Sequence, residues 1–166
     1  MATQENALEA FTGESQANRK YSAYAEKAME EGYTSIARLF RAASEAEAIH
    51  AKKLLKVLNK IEPTAKNLAA AVSGETHEFT EMYPAFLHQA ETERQSDAAL
   101  AFTYAMKAEE VHARLYREAL VSLKAGQDLA NKKVYLCPVC GNIVFSQPPE
   151  KCPICSVFGK VFREIT

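Results

Sequence analysis

Apolar residues recur at steps of three and four through most of the chain before Gly126, a periodicity that predicts amphipathic helices. The same stretch is rich in alanine, leucine, glutamate and lysine, which favour helix formation. Glycine and proline divide it into four segments. The predicted helices span about residues 4–31, 34–60 and 64–94, and a fourth runs from behind a Ser96/Asp97 cap to Gly126.

Short connections join these four segments, which is typical of an antiparallel helix bundle. The third segment contains Pro84, which lacks a backbone N–H and is expected to kink the helix. The predicted fold class is therefore mainly α, with a four-helix bundle as its main part.

The end of the chain has a different character. From Lys133 onward it carries β-forming residues, prolines and all four cysteines of the protein. A segment of this length buries too little apolar surface to fold alone, so a bound metal ion is the expected source of stability. We predict two domains, a helical domain over residues 1–131 and a small β-rich metal domain over residues 132–166.

Composition and charge exclude some classes of function and location. The 166 residues contain no apolar run near the ~20 residues of a membrane span and no signal peptide, so we expect a cytoplasmic protein. Residues 1–131 carry a net charge of −4 and residues 132–166 a net charge of +3. No basic stripe interleaved with aromatic residues is present, and nucleic acid is not an expected partner.

The cysteines form two C-x-x-C pairs, and this spacing suits a tetrahedral tetrathiolate metal site. The ligands would be Cys137, Cys140, Cys152 and Cys155. In a cytoplasmic protein, clustered thiols are more often metal ligands than disulfides. The spacing alone leaves open whether the metal is zinc, in a ribbon-like binding module, or iron.

A second set of candidate ligands lies in the predicted helices. The second and fourth helices each contain Glu-x-x-His, which directs a carboxylate and an imidazole from one helix face to the same point. The first and third helices add glutamates. The candidates are Glu47 with His50, Glu109 with His112, Glu14, and Glu75 with Glu78. This is the ligand set of helix bundles that hold two carboxylate-bridged iron or manganese ions.

The two halves of the helical region resemble a duplication. Tyr21, Glu47 and His50 recur 62 residues later as Tyr83, Glu109 and His112, whereas Gly13-Glu14 recurs 61 residues later as Gly74-Glu75. Glu78 has no counterpart in the first half. A lone Glu-x-x-His is usually a solvated helix face, but these pairs are matched. Glutamates gathered inside a bundle would repel one another unless cations compensated their charge.

Tyr21 is a further candidate, because it lies two helical turns after Glu14 on the same face. We expect its hydroxyl to hydrogen-bond a ligand carboxylate. The alternative is that the ring only packs, and the same choice applies to Tyr83.

A helical di-metal region followed by CPVCG…CPIC resembles the rubrerythrin family. The segments FTGESQA, GETHEFTEMYP and AEEVHA are similar to that family's motifs, in the same order. The resemblance implies a ferritin-like bundle with a di-iron centre and a rubredoxin-like domain with one iron. It implies that Glu47 and Glu109 bridge the irons, that Glu14, Glu75 and His112 are terminal ligands, and that Glu78 and His50 exchange on one iron. Ser156 stands where rubredoxin-like knuckles usually have glycine.

The implied function is that of a non-haem peroxidase. Hydrogen peroxide would be reduced to water at the di-iron site, with Glu78, His50 and Tyr21 as the catalytic residues. Electrons would enter through the rubredoxin-type iron from a reductase or a rubredoxin, and ultimately from NAD(P)H. The alternative is a ferritin-like ferroxidase that handles iron. The short connection near residues 61–65 also leads us to expect a homodimer, either with simple up-down bundles or with exchanged helix pairs.

Overall fold

The structure is a computed structural model that describes residues 2–130 and 132–166. The helical elements are α1 (Ala2–Glu30), α2 (Thr34–Val57), α3 (Thr64–His77), a π-helical segment (Glu78–Met82), α4 (Tyr83–Thr92) and α5 (Ser96–Lys124). Three strands follow, β1 (Val134–Leu136), β2 (Ile143–Phe145) and β3 (Arg163–Ile165), with a 3₁₀ turn at Gly159–Val161. The predicted fold class, mainly α with a small β-rich metal domain, is confirmed. Met1 and Asn131, the first and last residues of the predicted helical domain, lie outside the described residues.

Four helices end in the same way, at a residue with left-handed backbone conformation. These residues are Gly32 (φ 85°), Asn59 (φ 52°), Arg94 (φ 57°) and Gly126 (φ 74°). In each case the next N–H group bonds a carbonyl five residues earlier, as Tyr33 does to Ala28 at 2.8 Å and Gln95 does to Ala90 at 2.8 Å. This arrangement satisfies carbonyls that a helix end leaves unpaired. Arg94 adopts it at a cost that glycine avoids.

The predicted cap of the last helix is wrong. The N-cap residue of α5 is Gln95, and no side chain makes a capping hydrogen bond there. Asp97 instead lies in the first turn, where its negative charge interacts favourably with the positive end of the helix dipole.

The third predicted helix is interrupted where Pro84 was expected to kink it. The π-helical segment Glu78–Met82 precedes the proline, and the N–H of Tyr83 bonds the carbonyl of Glu78. Pro84 then occupies the first turn of α4, the part of a helix that tolerates proline best. The wider turn therefore absorbs the disturbance that proline would cause in a continuous α-helix.

The chain divides into two compact units, one ending at Glu62 and the other spanning Pro63–Thr166. The first unit is a hairpin of α1 and α2 whose core is made of small residues, among them Ala25, Ala28 and Ala37. A polar link crosses the hairpin, because the Asn18 side-chain amide donates to the carbonyl of Ser44 at 2.6 Å and the Ser44 hydroxyl donates to the carbonyl of Asn18 at 2.8 Å.

The second unit contains α3 to α5 and the strands. The sheet has the order β2-β1-β3, and both pairs are antiparallel. Its core consists of cysteine side chains and Phe162, and Tyr104 of α5 packs against this cluster. The small domain is thus built around its thiols. None of the helices in the described residues has the length and apolarity that a membrane span requires.

Candidate metal centres

The four cysteines converge on one point in the small domain. Sγ of Cys137 lies 3.6 Å from Sγ of Cys155, and Sγ of Cys140 lies 3.6 Å from Sγ of Cys152. All four are free thiols. A tetrahedral ion with metal–sulfur bonds of about 2.3 Å separates its ligands by about 3.8 Å. The sulfur spacing therefore fits a tetrathiolate ion without rearrangement of the backbone.

Two backbone knuckles with matching hydrogen bonds hold these thiols. The N–H of Gly141 bonds the carbonyl of Cys137 at 3.0 Å, and the N–H of Ser156 bonds the carbonyl of Cys152 at 2.9 Å. Both turn residues are left-handed, with φ 80° at Gly141 and φ 63° at Ser156. Ser156 therefore carries a Cβ in a conformation that glycine adopts without strain.

The protein environment favours a thiolate at Cys152. Burial raises the pKa of this thiol. Hydrogen bonds from the backbone N–H groups of Cys155 and Ile154, together with those of the Cys140 and Cys155 thiols, outweigh it, and the pKa falls to about 7. The amide of Asn142, which is 1% exposed, also points at this sulfur, at 3.8 Å. These donors stabilise negative charge on sulfur, which a metal ligand requires.

In the first unit, α1 and α2 bring together three of the predicted ligands. Nδ1 of His50 lies 2.9 Å from Oε2 of Glu47 and 3.7 Å from Oε1 of Glu14. A hydrogen bond shared with Glu47 raises the pKa of Glu14, whereas the same bond and one with His50 lower the pKa of Glu47. Two carboxylates this close share a proton unless a cation lies between them.

In the second unit, α3 and α5 bring together the three equivalent residues. Nδ1 of His112 lies 2.6 Å from Oε2 of Glu109 and 3.8 Å from Oε2 of Glu75. Burial, followed by the hydrogen bond and charge of Glu109, raises the pKa of Glu75 to about 7. The hydrogen bond to His112 lowers the pKa of Glu109 despite its burial. Among the described residues, each unit thus carries one carboxylate–histidine cluster whose candidate ligand atoms lie within 4.8 Å of one another.

His112 also contacts the small domain. Its Nε2–H donates to the backbone carbonyl of Gly141 at 2.9 Å. This bond fixes the ring and leaves Nδ1 as the nitrogen that faces the carboxylates. Ala108 lies one turn earlier on α5, 2% exposed, and its Cβ would lie 3.9 Å from a Cβ built on Gly141. This is an ordinary van der Waals distance, so the small side chain of Ala108 lets the helix pack against the knuckle, and the positive φ of Gly141 is what favours glycine there.

Glu78 is placed beside the second cluster rather than within it. Burial raises its pKa, and the negative charge of Glu109 raises it further, so the two carboxylates interact. Glu78 is the first residue of the π-helical segment. This segment explains the slip in the internal repeat, because seven residues separate Glu14 from Tyr21 but eight separate Glu75 from Tyr83. A π turn accommodates the additional residue.

An aromatic cluster accompanies each metal-ligand cluster. Tyr21 packs on Phe40 with ring centroids 6.2 Å apart, and Tyr83 packs on Phe102 at the same distance. Tyr24 and Phe86 complete the two clusters, at 5.6 and 5.7 Å from the phenylalanines. All three positions repeat at 62 residues; the repeat of Tyr21 as Tyr83 was predicted, whereas those of Tyr24 as Phe86 and of Phe40 as Phe102 were missed. Among the described residues, the Tyr21 hydroxyl donates to no carboxylate, so its predicted hydrogen bond stays a prediction.

Known proteins share this arrangement of sequence and fold. The profile described as Rubrerythrin matches residues 5–120. The chain belongs to the rubrerythrin family. Rubrerythrin-2 of Clostridium acetobutylicum is 37% identical over 93% of this chain and 91% of its own length. Nigerythrin of Nitratidesulfovibrio vulgaris is 39% identical over 93% of this chain and 82% of its own length.

Solved structures agree with the sequence comparison. Nigerythrin in its fully reduced, all-ferrous state is 37% identical, with a TM-score of 0.57 over 98% of this chain and 86% of its own. Nigerythrin has also been solved in a mixed-valence state.

Rubrerythrins hold a di-iron site and a rubredoxin-type iron, and the donor groups of this chain fit both. Oxygen and imidazole donors suit an exchangeable iron site, and four thiolates suit a closed tetrahedral one. Sequence reasoning missed Gly141 as the acceptor of His112, because a backbone carbonyl leaves no mark in a ligand motif. It also missed Tyr116 of α5, whose pKa is raised by burial and by the charges of Glu75 and Glu109.

Proposed function

We propose that this rubrerythrin is a non-haem peroxidase that reduces hydrogen peroxide to water. Glu14, Glu47 and His50 of one unit and Glu75, Glu78, Glu109 and His112 of the other would hold two irons, and Cys137, Cys140, Cys152 and Cys155 would hold a third. We further propose that residues 1–131 and 132–166 act as separate functional domains, one for chemistry and one for electron supply.

The observation that carries this proposal is the position of His112. One ring nitrogen faces the carboxylates of Glu109 and Glu75, and the other donates to the carbonyl of Gly141, the residue after Cys140. A single side chain therefore links the oxygen-ligand cluster to the thiolate cluster through one hydrogen bond. Such a link suits electron delivery, and a protein that only stored iron would not need it.

When bound, two ferrous ions would supply the two electrons that, with two protons, convert hydrogen peroxide to two waters. The residues of this chain would position that chemistry. Glu47 and Glu109 each contact a histidine on their own helix and suit a bridging role. The carboxylate of Glu109, whose pKa is lowered, keeps negative charge beside His112, which orients its ring.

Glu78 and His50 are the proposed exchangeable ligands. His50 is half exposed, and within the described residues its Nε2 has no hydrogen-bond partner, so its ring is free to turn. Anionic Glu78 suits ferric iron, whereas neutral imidazole suits ferrous iron. In a Glu78→Ala variant we expect peroxide turnover to fall and the spectrum of the oxidised di-iron site to change. Unchanged turnover and spectrum would contradict the exchange.

The test of the peroxidase function is a stopped-flow comparison of oxidants. The iron-loaded protein is reduced and mixed with equal concentrations of hydrogen peroxide or O2. We expect peroxide to reoxidise it at least about tenfold faster, a barrier difference of about 1.4 kcal/mol or more. Faster oxidation by O2, with uptake of further iron, would instead indicate a ferroxidase. Nigerythrin has been solved in mixed-valence and all-ferrous states, which supports the proposal that the irons of this chain change oxidation state.

We propose that the electrons come from NAD(P)H through an external reductase or a rubredoxin, and that the protein works in the cytoplasm. Four free thiols within contact distance of one another suit a reducing compartment. Omission of the reductase should abolish NADH-dependent peroxide removal while leaving the chemically reduced protein reactive.

We also propose a homodimer with exchanged helix pairs. Residues 58–63 join α2 to α3, and six extended residues reach at most about 22 Å, whereas the 24 residues of α2 span about 36 Å. The connection is too short for the lengthwise crossover of a ferritin-type bundle. Two chains would complete each other's ligand sets without it. A dilute monomer that kept all of its di-iron content would contradict this assembly.

A further inference from the structure

The two knuckles of the small domain have different surroundings. The first, Cys137–Gly141, contacts α5 through the hydrogen bond from His112 to Gly141. The second, Cys152–Ser156, carries the most exposed of the four thiols. Cys155 is partly exposed, whereas Cys137, Cys140 and Cys152 are 1%, 8% and 2% exposed. One side of the thiolate cluster therefore faces the helices, and the other lies near solvent.

An aromatic residue with two lysines lies next to the second knuckle. Phe158 is 53% exposed, and the Nζ atoms of Lys151 and Lys160 lie 5.3 Å and 5.9 Å from its ring centroid. Both distances are within the range of cation–π attraction, which holds the ammonium groups around the ring. We call Lys151, Phe158 and Lys160 the basic aromatic face.

The backbone under this face is firmly fixed. Lys151 and Phe158 form an isolated antiparallel bridge, and the N–H of Gly159 donates to the carbonyl of Glu150 at 2.8 Å. A Cβ at Gly159 would lie 1.8 Å from the carbonyl oxygen of Pro149, so no other residue fits. The same loop closes onto the metal knuckle, because the N–H of Cys152 donates to the carbonyl of Val157 at 2.8 Å.

The charge of the small domain favours an acidic partner. Residues 132–166 contain five basic and two acidic side chains. One of the acids, Glu164, is paired with Lys133 at 3.0 Å and accepts a hydrogen bond from Tyr135. Glu150 is the other acid. The lysines of the basic aromatic face thus lie in a domain of net positive charge, with an exposed apolar ring between them.

We propose that the basic aromatic face is the docking surface for an acidic protein that donates single electrons. The inference rests on the proposed role of the tetrathiolate iron as an electron carrier. In each encounter the donor would lose one electron and the ferric iron would gain it, with no bond formed or broken. Positive charge around the exposed thiol would steer an acidic donor to this side, and Phe158 would supply the apolar centre of a small, short-lived interface.

The test measures binding first, without any turnover. The probe is an oxidised, acidic flavodoxin, titrated into iron-loaded full-length protein at an ionic strength of about 0.01 M, where charge interactions extend over about 30 Å. We expect the K151E/K160E variant to bind at least about tenfold more weakly than the natural protein, and this difference to disappear near 1 M salt. The K124E/K132E variant makes the same charge change at two exposed lysines that are not part of the basic aromatic face, and we expect its affinity to stay within about twofold.

A second measurement follows electron transfer directly. Flavodoxin hydroquinone is oxidised to the semiquinone as the ferric tetrathiolate is reduced and loses its visible absorption. The semiquinone and the ferric tetrathiolate absorb at different wavelengths, so both changes can be followed. We expect the second-order rate to fall in K151E/K160E and to fall less in K151Q/K160Q, which removes the charges without reversing them. The visible spectrum of the ferric tetrathiolate checks that the site is intact in each variant.

The possible results separate this inference from the proposed function. Equal binding and reduction rates in K151E/K160E and the natural protein would overturn the docking surface, as would equal losses in K124E/K132E. Tighter binding of a short single-stranded DNA than of flavodoxin would also overturn it. Dithionite-reduced protein that reacted slowly with peroxide would contradict the peroxidase function alone, because that reaction needs no docked donor.

Discussion

The first and second halves of the helical region carry the same three ligand types, but their histidines differ. His112 is 16% exposed and bonds through both ring nitrogens, to Glu109 and to the carbonyl of Gly141. His50 is 50% exposed and bonds through Nδ1 alone among the described residues. A ring held at both nitrogens has one orientation, whereas a ring held at one nitrogen can rotate away.

The difference shows how a duplicated ligand motif can acquire two roles. The second half holds its histidine against the small domain, and it also carries Glu78, which the first half lacks. The π-helical segment that begins at Glu78 is the local change that separates the two halves. We propose that the ring held at both nitrogens stays in place, whereas His50 of the first half exchanges with Glu78 of the second as the site changes oxidation state.

The largest expected effect is the loss of iron when either of the proposed bridging glutamates is replaced. In Glu47→Gln and in Glu109→Gln we expect the iron content to fall from about three to about one per chain, because one neutral amide replaces a bridging carboxylate of both ions. Elemental analysis measures the iron content, and a peroxide turnover assay measures the accompanying loss of activity. The controls are Glu45→Gln and Glu110→Gln, which change exposed glutamates on the same helices. Retention of half of the di-iron content in either variant would mean that the two clusters bind metal independently.

A smaller effect is expected on the rate of electron transfer when either histidine is replaced by alanine. We expect His112→Ala to slow electron transfer from the tetrathiolate to the di-iron site about 10–100-fold, since both its ligand nitrogen and its bond to Gly141 are lost. His50→Ala should keep most of its iron, because Glu78 can take the vacant position. Single-turnover reduction after a peroxide pulse measures the rate. Equal slowing in both variants would remove the proposed asymmetry.

Much of the fold could be predicted from the sequence because its signals are local. Helical periodicity with glycine at residues 32 and 126 predicted the ends of α1 and α5, to within two residues. Two features could not be predicted in this way. No glycine marks the left-handed backbone at Arg94, two residues after the end of α4, and α5 begins without the side-chain cap that Ser96 and Asp97 suggested. At Arg94 a backbone hydrogen bond from Gln95 to Ala90 closes the helix end without a glycine. At the start of α5 the charge of Asp97 interacts with the helix dipole, and no side-chain cap is formed.

The candidate site was predicted in its composition but not in its connections. The repeat and the Glu-x-x-His pattern indicated which carboxylates and imidazoles meet within each half. The second half has one more residue between Glu75 and Tyr83 than the first half has between Glu14 and Tyr21, and this extra residue is the sequence sign of the π turn. Only the backbone shows that the chain accommodates it as a π-helical segment. The bond from His112 to Gly141 depends on packing of α5 against the knuckle, and no spacing rule along the chain encodes such a contact.

The metal-free protein should show a pH dependence that comes mainly from the second cluster. Burial and then Glu109 raise the pKa of Glu75 to about 7, above its ordinary value of 4.5. Such a carboxyl binds more protons in the folded state, so its stabilising contribution is full below 4.5 and is lost as the pH rises through 7. The pKa of His112 is also raised, first by its hydrogen bond to Glu109, and its contribution is likewise lost with rising pH.

We therefore expect the melting temperature of the metal-free protein, measured by circular dichroism, to fall between about pH 5 and pH 8. Glu75→Gln should flatten this dependence more than Glu14→Gln does, since Glu14 lies in the more exposed cluster. Glu45→Gln is the control and should leave the curve unchanged. An unchanged slope in Glu75→Gln would assign the pH dependence to other groups.

The smallest effect tests the repeat at a helix end. Gly32 and Arg94 are separated by the same 62 residues as Glu47 and Glu109, and both have positive φ, 85° and 57°. Arg94→Gly should stabilise the iron-loaded protein by about 1 kcal/mol, because the left-handed conformation costs a residue with Cβ about 1–2 kcal/mol. Gly32→Ala should destabilise it by a similar amount, and the control Glu91→Gly, inside α4, should also destabilise it. Denaturant unfolding measures all three. If Arg94→Gly destabilised the protein, the Arg94 side chain would contribute more to the second half than its backbone strain costs.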